Sequence, residues 1–579
     1  MPTKKKLFIE ELLGCAASLG PYTVCLKYLS NLIYSNNSGL LWVSIGNALA
    51  PQFLLYLILR FFFSALTSGI VSGTLALILS LANQKKMVIT DSALSWFDLN
   101  QANNAPVFLK YFETHHWLIL FFVFLAILLT LILFSPSKSR FLFLLKTRVL
   151  LVISLMAYVL WPHWLSRNEE LNEWATKTSF KRGIGFINWN DKGNVRANGL
   201  LNHLIQTSVR QVPSPPEETQ IQKFLDLKKE SLPNGSRPRT VVMVLCEGCW
   251  HDEKYFSDIF QPLKNQGFSE LRSVSPAFGG ATVNASFEVL FGLPSRTPHL
   301  SGVVYQNYAN QIKTKAEALP QHFRNSGYQT VVIHNFYRKT WNRDILKPKL
   351  GFNKFISLED MNYKLKDGEW LPDDSILYEI ALKEIKKNEG SPVFLYLVTV
   401  YGHGPFAEKN GDLGVGEYRR KLKVSIDRLS DFSKKLFEID SNALLLMVAD
   451  HKPGLNRWFY ESGVLPKEMF DTQNWWVSAN LAEKQRGDVP AYIKAKSPEK
   501  TAEFIRNSNG APLYCLVAEF NDQFLNLPWA ATQYSKENKI CSGHKTKTYK
   551  ELNNSYPSWL YSLSLFEDLW DESKRANYF

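Results

Sequence analysis

Apolar positions are spread unevenly along this chain. Over residues 7–165 they form long runs with few charges, among them WLILFFVFLAILLTLILF at 117–134. Runs of that length suit membrane-spanning helices. Beyond residue 166 the pattern changes to short, continuous, β-branched runs separated by longer stretches of helical spacing. The runs are TVVMVLCE (240–247), TVVIHN (330–335), VFLYLVTV (393–400) and ALLLMVAD (443–450). Strands that are apolar on both faces belong to a mainly parallel sheet covered by helices, the doubly wound α/β arrangement. The chain therefore reads as a transmembrane block (1–166), a juxtamembrane helix and linker (167–239) and an α/β domain (240–579).

About five spans are expected in the first block. Lys4, Lys5 and Lys6 precede the first, which lacks a small-residue cleavage site and reads as an uncleaved anchor. The stretch from Leu40 to Leu81 is too long for one span, and Arg60 marks a turn between two. The fourth and fifth fall at 117–134 and about 146–165. The N-terminal lysines and the loop bearing Lys138, Arg140, Lys146 and Arg148 both belong in the cytoplasm. Four spans between them satisfy this, and the fifth puts the α/β domain outside. Lys85 and Lys86 then lie on the outer side, against the rule; a four-span alternative leaves the domain inside. The segment VRANGLLNHLIQTSV (195–209) is amphipathic, and Pro, Ser and charge mark 213–239 as a linker around one short helix.

The strand ends carry the chemistry. The four runs finish at Glu247, at His334 and Asn335, just before His403, and at Asp450 and His451. Ligands of such sheets bind at the carboxyl ends of the strands. Two carboxylates and a histidine meeting there make a divalent-metal site; each alone is an ordinary solvated strand end. The segment FGGATVNASFEVLFG (278–292) has two glycines for a tight turn, then a helix from about Thr282 to Phe291. A helix N-terminus favours an anionic phosphate. On these residues alone Thr282 is equally a capping hydroxyl or a nucleophile awaiting activation.

The net charge of +13 raises the question of nucleic acid. No zinc-finger, RRM or basic-region pattern accompanies it, and much of the excess flanks the apolar block, where anionic lipid explains it. Of six cysteines, Cys246 and Cys249 form a C-x-x-C without the second half of a zinc motif. Outside the cytoplasm a Cys515–Cys541 disulfide is expected, with free buried thiols as the alternative.

In order, VLCEGCW, GGATVNASFEVLFGLPS, HNFYRKTWNRD, TVYGHGPF and VADHKPG resemble the lipoteichoic acid synthase and phosphoglycerol transferase family, within the alkaline-phosphatase/sulfatase superfamily. The resemblance covers about 240–455. It implies one divalent cation, Mn2+ or Mg2+, on Glu247, Thr282, Asp450 and His451. It implies Thr282 as the nucleophile, forming a phospho-threonine, and Trp341, Arg343 and His403 as the residues that bind the phosphoglycerol group, with His403 also placed for proton transfer. The implied donor is phosphatidylglycerol, the implied acceptor a glycan or glycolipid, and the implied location the bacterial cytoplasmic membrane with the catalytic domain extracytoplasmic. Two positions depart: Lys452 stands where the family has glycine, and Glu247 is followed by Gly248 rather than serine. Residues 456–579 match poorly; their aromatic segments NRWFYESG, QNWWVSAN and PSWLYSLSLF are read as core rather than as a sugar or membrane contact. A phosphoethanolamine transferase, or a non-catalytic lipid-binding member, is the alternative. A sulfatase is disfavoured because the Thr282 segment lacks the Cys/Ser-x-Pro-x-Arg pattern.

Overall fold

The computed structural model describes residues 4–28, 38–90, 93–99, 149–157, 198–208, 215–228, 237–300, 302–365, 371–467 and 484–566, with a few isolated positions besides. The chain divides into two compact units, Met1–Gln211 and Val212–Phe579.

The first unit contains three long helices, α1 (Lys4–Tyr28), α2 (Ser38–Leu59) and α3 (Ala65–Thr90). The break between α2 and α3 falls at Arg60, as the sequence suggested. Arg60 is buried and its Nη2 lies 2.5 Å from Glu11 Oε1 of α1. Small residues let α1 and α3 approach closely: a Cβ on Gly69 would lie 2.1 Å from the Gly14 carbonyl oxygen. Among the described residues one helix, Ala65–Met87, is long and apolar enough to cross a membrane, and a shorter apolar helix covers Ile45–Leu59. That is fewer than the five spans expected. Glu10, Glu11 and Lys27 dilute the apolar character of α1. The 117–134 segment and most of 146–165 lie outside the described residues. The amphipathic segment forms a helix over Leu200–Thr207, with Asn202 Nδ2 donating to the Asn47 carbonyl at 2.7 Å.

The second unit is an α/β domain built on one eight-stranded sheet of order β4-β3-β5-β1-β6-β7-β2-β8. The strands are β1 (Thr240–Cys246), β2 (Ser269–Val274), β3 (Gln329–His334), β4 (Lys354–Ser357), β5 (Val393–Val398), β6 (Leu444–Ala449), β7 (Asp488–Lys494) and β8 (Ala511–Pro512). The four apolar runs are β1, β3, β5 and β6, all parallel and adjacent. Their side chains alternate between two cores. Val241, Met243 and Leu245 enter one; Val242, Val244 and Cys246 enter the other. Helices α4 (Thr282–Phe291) and α7 (Leu513–Phe520) cover the first core, while α5 (Ser375–Lys387) and α6 (Val415–Ile439) cover the second.

The poorly matching C-terminal third supplies β7, β8 and α7 to this fold. Of the aromatics in those segments, Phe459, Tyr561 and Phe566 are buried, in line with the core reading, while Trp458, Tyr460 and Trp559 are half-buried. The QNWW residues at 473–476 lie outside the described residues. Cys515 and Cys541 form a disulfide, and so do Cys246 and Cys249.

Candidate metal and phosphate site

Four strands deliver their polar ends to one place. Glu247 follows β1, and Asp450 and His451 follow β6. In the register of the sheet Cys246 lies opposite Ala449, so these ends are level. One ligand atom each from Glu247, Asp450 and His451 lies within 4.8 Å of the others, and all three residues are buried. His451 Nε2 is 3.3 Å from Glu247 Oε1 and 3.3 Å from Asp450 Oδ2.

Thr282 joins them. Ala281, not Thr282, occupies the cap position of α4, in a left-handed conformation. Thr282 is the first helical residue, and its hydroxyl is not used in capping. It donates to Glu247 Oε2 at 2.9 Å. The glycine turn before it is anchored by the Gly279 N–H, which donates to the Lys452 carbonyl at 3.0 Å.

The ligand set suits a divalent cation. His451 Nδ1 faces the Lys452 carbonyl at 2.7 Å, an acceptor for its N–H, which leaves Nε2 directed at the two carboxylates. Asp450 Oδ1 accepts from the Gly248 and His451 N–H groups, both at 2.8 Å. Its Oδ2 and His451 Nε2 are buried with no hydrogen-bond partner among the described residues. Burial and the charge of Glu247 push the Asp450 carboxyl up. Burial works against ionisation of Glu247 too, but His403, His451 and the Thr282 hydroxyl hold its carboxyl below the usual range. Burial disfavours a charged His451, yet the two carboxylates outweigh it and raise its pKa. The pocket favours positive charge, which a divalent cation would supply.

Around this centre lie further groups from the sequence reading. Arg343 is buried in the first turn of a short helix, Arg343–Lys349. Burial lowers its pKa to about 10, against the pull of Tyr305, Tyr396, Glu247 and Asp450. Trp341 and Asn342, just before it, both adopt left-handed conformations, with φ of 59° and 53°. Two such residues in succession are costly and set how Arg343 enters its helix. Trp341 is half-buried against the core. His403 is half-buried, its Nδ1 2.6 Å from the Gly404 carbonyl, and it acts electrostatically on Glu247. The backbone beside it is tightly packed: a Cβ on Gly402 would lie 2.1 Å from the Glu247 carbonyl oxygen.

Three residues outside the predicted set support the site. His334 is buried, with Nδ1 2.8 Å from the Val398 carbonyl; burial, then Arg343, holds its pKa well below the ordinary value. Its strand-end position was the available signal. Asp374 is buried and ties together the ends of β3 and β5, accepting from Asn335 Nδ2 at 2.9 Å and from the Val400 N–H at 3.0 Å. Nothing in its local sequence marks it. Lys452, the family's glycine, points away from the centre. Its Nζ donates to the carbonyls of Gln485 (2.8 Å), Arg486 (3.3 Å) and Asp488, and lies over the Trp250 ring.

Comparison with known proteins finds similarity over part of the chain. Residues 239–479 match the family described as Sulfatase. A Rhizobium meliloti (strain 1021) protein named for cyclic beta-1,2-glucan modification is 28% identical over 302 residues, covering 48% of this chain and 46% of that protein. Lipoteichoic acid synthase 1 of Bacillus subtilis (strain 168) is 29% identical over 187 residues, covering 29% of this chain and 27% of that one. The chain thus spans less than half the length of either curated relative. The structure of Streptococcus pyogenes phosphoglycerol transferase GacH in complex with sn-glycerol-1-phosphate superposes with a TM-score of 0.43 and 18% identity, covering 60% of this chain and 91% of that one. Over residues 239–479 the chain thus matches the Sulfatase family, with a lipoteichoic acid synthase among its relatives.

Proposed function

We propose that this chain is a membrane-anchored phosphotransferase that moves phosphoglycerol from phosphatidylglycerol to a glycan or glycolipid acceptor. The observation that carries this reading is the Thr282 hydroxyl, free of capping duty and 2.9 Å from Glu247 Oε2 within a buried ligand set. Glu247, Thr282, Asp450 and His451 hold one divalent cation, Mn2+ or Mg2+. That cation supplies the Lewis acidity that lowers the pKa of the Thr282 hydroxyl.

The chain's own residues do the rest. Glu247 accepts the hydrogen bond from Thr282 and orients its oxygen. Thr282 attacks the head-group phosphorus, the bond to the diacylglycerol oxygen breaks, and a phospho-threonine results. The acceptor hydroxyl then displaces Thr282. Arg343 balances the phosphate charge, Trp341 bounds the glycerol, and His403 binds the phosphate and handles the proton of the leaving or entering oxygen. Two disulfides suit an oxidising compartment and support an extracytoplasmic domain on the cytoplasmic membrane.

The test is mass spectrometry of the purified chain after incubation with phosphatidylglycerol and Mn2+. A glycerol-phosphate adduct on Thr282, absent from Thr282→Ala, is expected. An adduct formed only from phosphatidylethanolamine redirects the donor. Transfer from labelled lipid that survives Thr282→Ala overturns the nucleophile.

A further inference from the structure

Cys246 and Cys249 bracket Glu247 and Gly248. Their side chains are joined, with Cα atoms 5.6 Å apart, and both residues are buried. The bond closes a small ring around a proposed metal ligand and the glycine that follows it. Sulfurs held in a disulfide cannot serve as thiolate ligands, so this C-x-x-C is not itself a metal motif.

The enclosed turn sets two ligands, not one. The Glu247 N–H donates to Thr399 Oγ1 at 2.9 Å, which fixes the start of the turn. The Gly248 N–H donates to Asp450 Oδ1 at 2.8 Å, which turns that carboxylate toward the centre. Asp450 N–H in turn donates to the Cys246 carbonyl at 3.1 Å. Tyr418 closes the far side: its hydroxyl donates to the Gly248 carbonyl at 2.9 Å and accepts from the Trp250 N–H at 3.0 Å. In the middle sits Gly248, with φ of +62°. Glycine is the residue with the most backbone freedom to lose. A ligand turn centred on glycine would wander unless something outside the backbone held it.

We propose that the Cys246–Cys249 disulfide is a positioning clamp for the metal site. It holds the Glu247 carboxylate and the Gly248–Asp450 contact in place before the cation arrives, so that binding need not order the turn. The proposal rests on the metal reading of the site. Because both sulfurs are buried, the clamp is a permanent part of the site rather than a switch open to solvent.

The experiment measures Mn2+ affinity by isothermal titration, on the full chain in detergent, for wild type, Cys246→Ala/Cys249→Ala and Glu247→Gln. The double variant should bind Mn2+ about 10- to 100-fold more weakly, as expected for removing a group that orients metal ligands. Its transfer rate should recover at saturating Mn2+, which a collapsed domain would not allow. Wild-type affinity in a folded double variant overturns the clamp. Wild-type affinity in Glu247→Gln overturns the metal reading instead. Should the double variant fail to fold, wild type is treated with a phosphine. The phosphine attacks one sulfur and breaks the S–S bond; water then supplies the oxygen of the phosphine oxide and the two protons of the two thiols. Thiol mapping confirms that 246 and 249 have opened, and Mn2+ is titrated again. Equal or tighter binding then refutes the proposal.

Discussion

Gly402→Ala tests how the His403 loop and the metal turn depend on each other. Gly402 needs no left-handed backbone, so alanine brings no conformational penalty of its own. The new Cβ would sit 2.1 Å from the Glu247 carbonyl oxygen. A carbon normally approaches such an oxygen to about 3.3 Å, so the two backbones must part by about 1.2 Å. Neither can yield cheaply. Glu247 is anchored through Thr399, and the Gly402 segment ends in His403, whose carbonyl accepts from Lys421 Nζ at 2.8 Å. Overpacking of this kind costs about 1–3 kcal/mol of stability. A displacement of about 1 Å in a reacting group costs roughly 100-fold in rate. The assay pairs denaturant unfolding with Mn2+ titration and head-group transfer. A variant that folds, binds Mn2+ normally and transfers within a few-fold of wild type would show that the contact does not position Glu247.

Three further outcomes are expected. Glu317 lies under Lys228, and its Oε2 is 3.1 Å from His322 Nε2. Burial opposes its charge, but His322 and Lys228 prevail and lower its pKa from 4.5 to about 2. A depressed carboxyl stabilises the fold above its unfolded pKa and loses that stabilisation as pH falls through the folded one. Glu317→Gln should therefore cost about 3 kcal/mol near pH 6, with the deficit vanishing between about pH 4.5 and 2 in urea titrations; a pH-independent difference would contradict the ion-pair account. Lys452→Met keeps an apolar stem but removes the ammonium over the Trp250 ring and strands the carbonyls of residues 485, 486 and 488. A loss of about 3 kcal/mol and faster proteolysis near those residues are expected, and an unchanged digestion pattern would count against the tether. Mn2+ at about 100 times its dissociation constant should stabilise the domain by about 2.7 kcal/mol, a gain removed by chelator and absent in Asp450→Asn, as read by thermal unfolding.

The central sheet was legible because β1, β3, β5 and β6 are buried on both faces and so read as unbroken apolar runs. The other half of the sheet was not. β2 (SELRSV) mixes charge into its alternation, and β4 has four residues. β7 contains Pro490, which argues against an interior strand. The register explains the exception: β6 pairs with β7 only over 491–494, so Pro490 lies beyond that ladder and opposite Arg272 of β2. The α4 helix, expected at about Thr282 to Phe291, lies there, and of the two readings the sequence left for Thr282 the structure gives the cap position to Ala281 instead. Lys452 and Asp374 were opaque because their partners are far along the chain, at 485–488 and at 335 and 400. The spans beyond α3 rested on apolar run length alone.

The Gly248 N–H reaches an Asp450 oxygen across 202 positions of sequence. On the proposed metal set, a nascent chain would hold only Glu247 and Thr282 until the strand ending at Ala449 has docked. A truncation before that point would then lack Asp450 and His451, and the capacity to retain a cation would read out finished assembly. Mutations far from the centre that weaken docking of β6 should then look like metal-loading defects, and raising the metal concentration should draw them back toward the folded state.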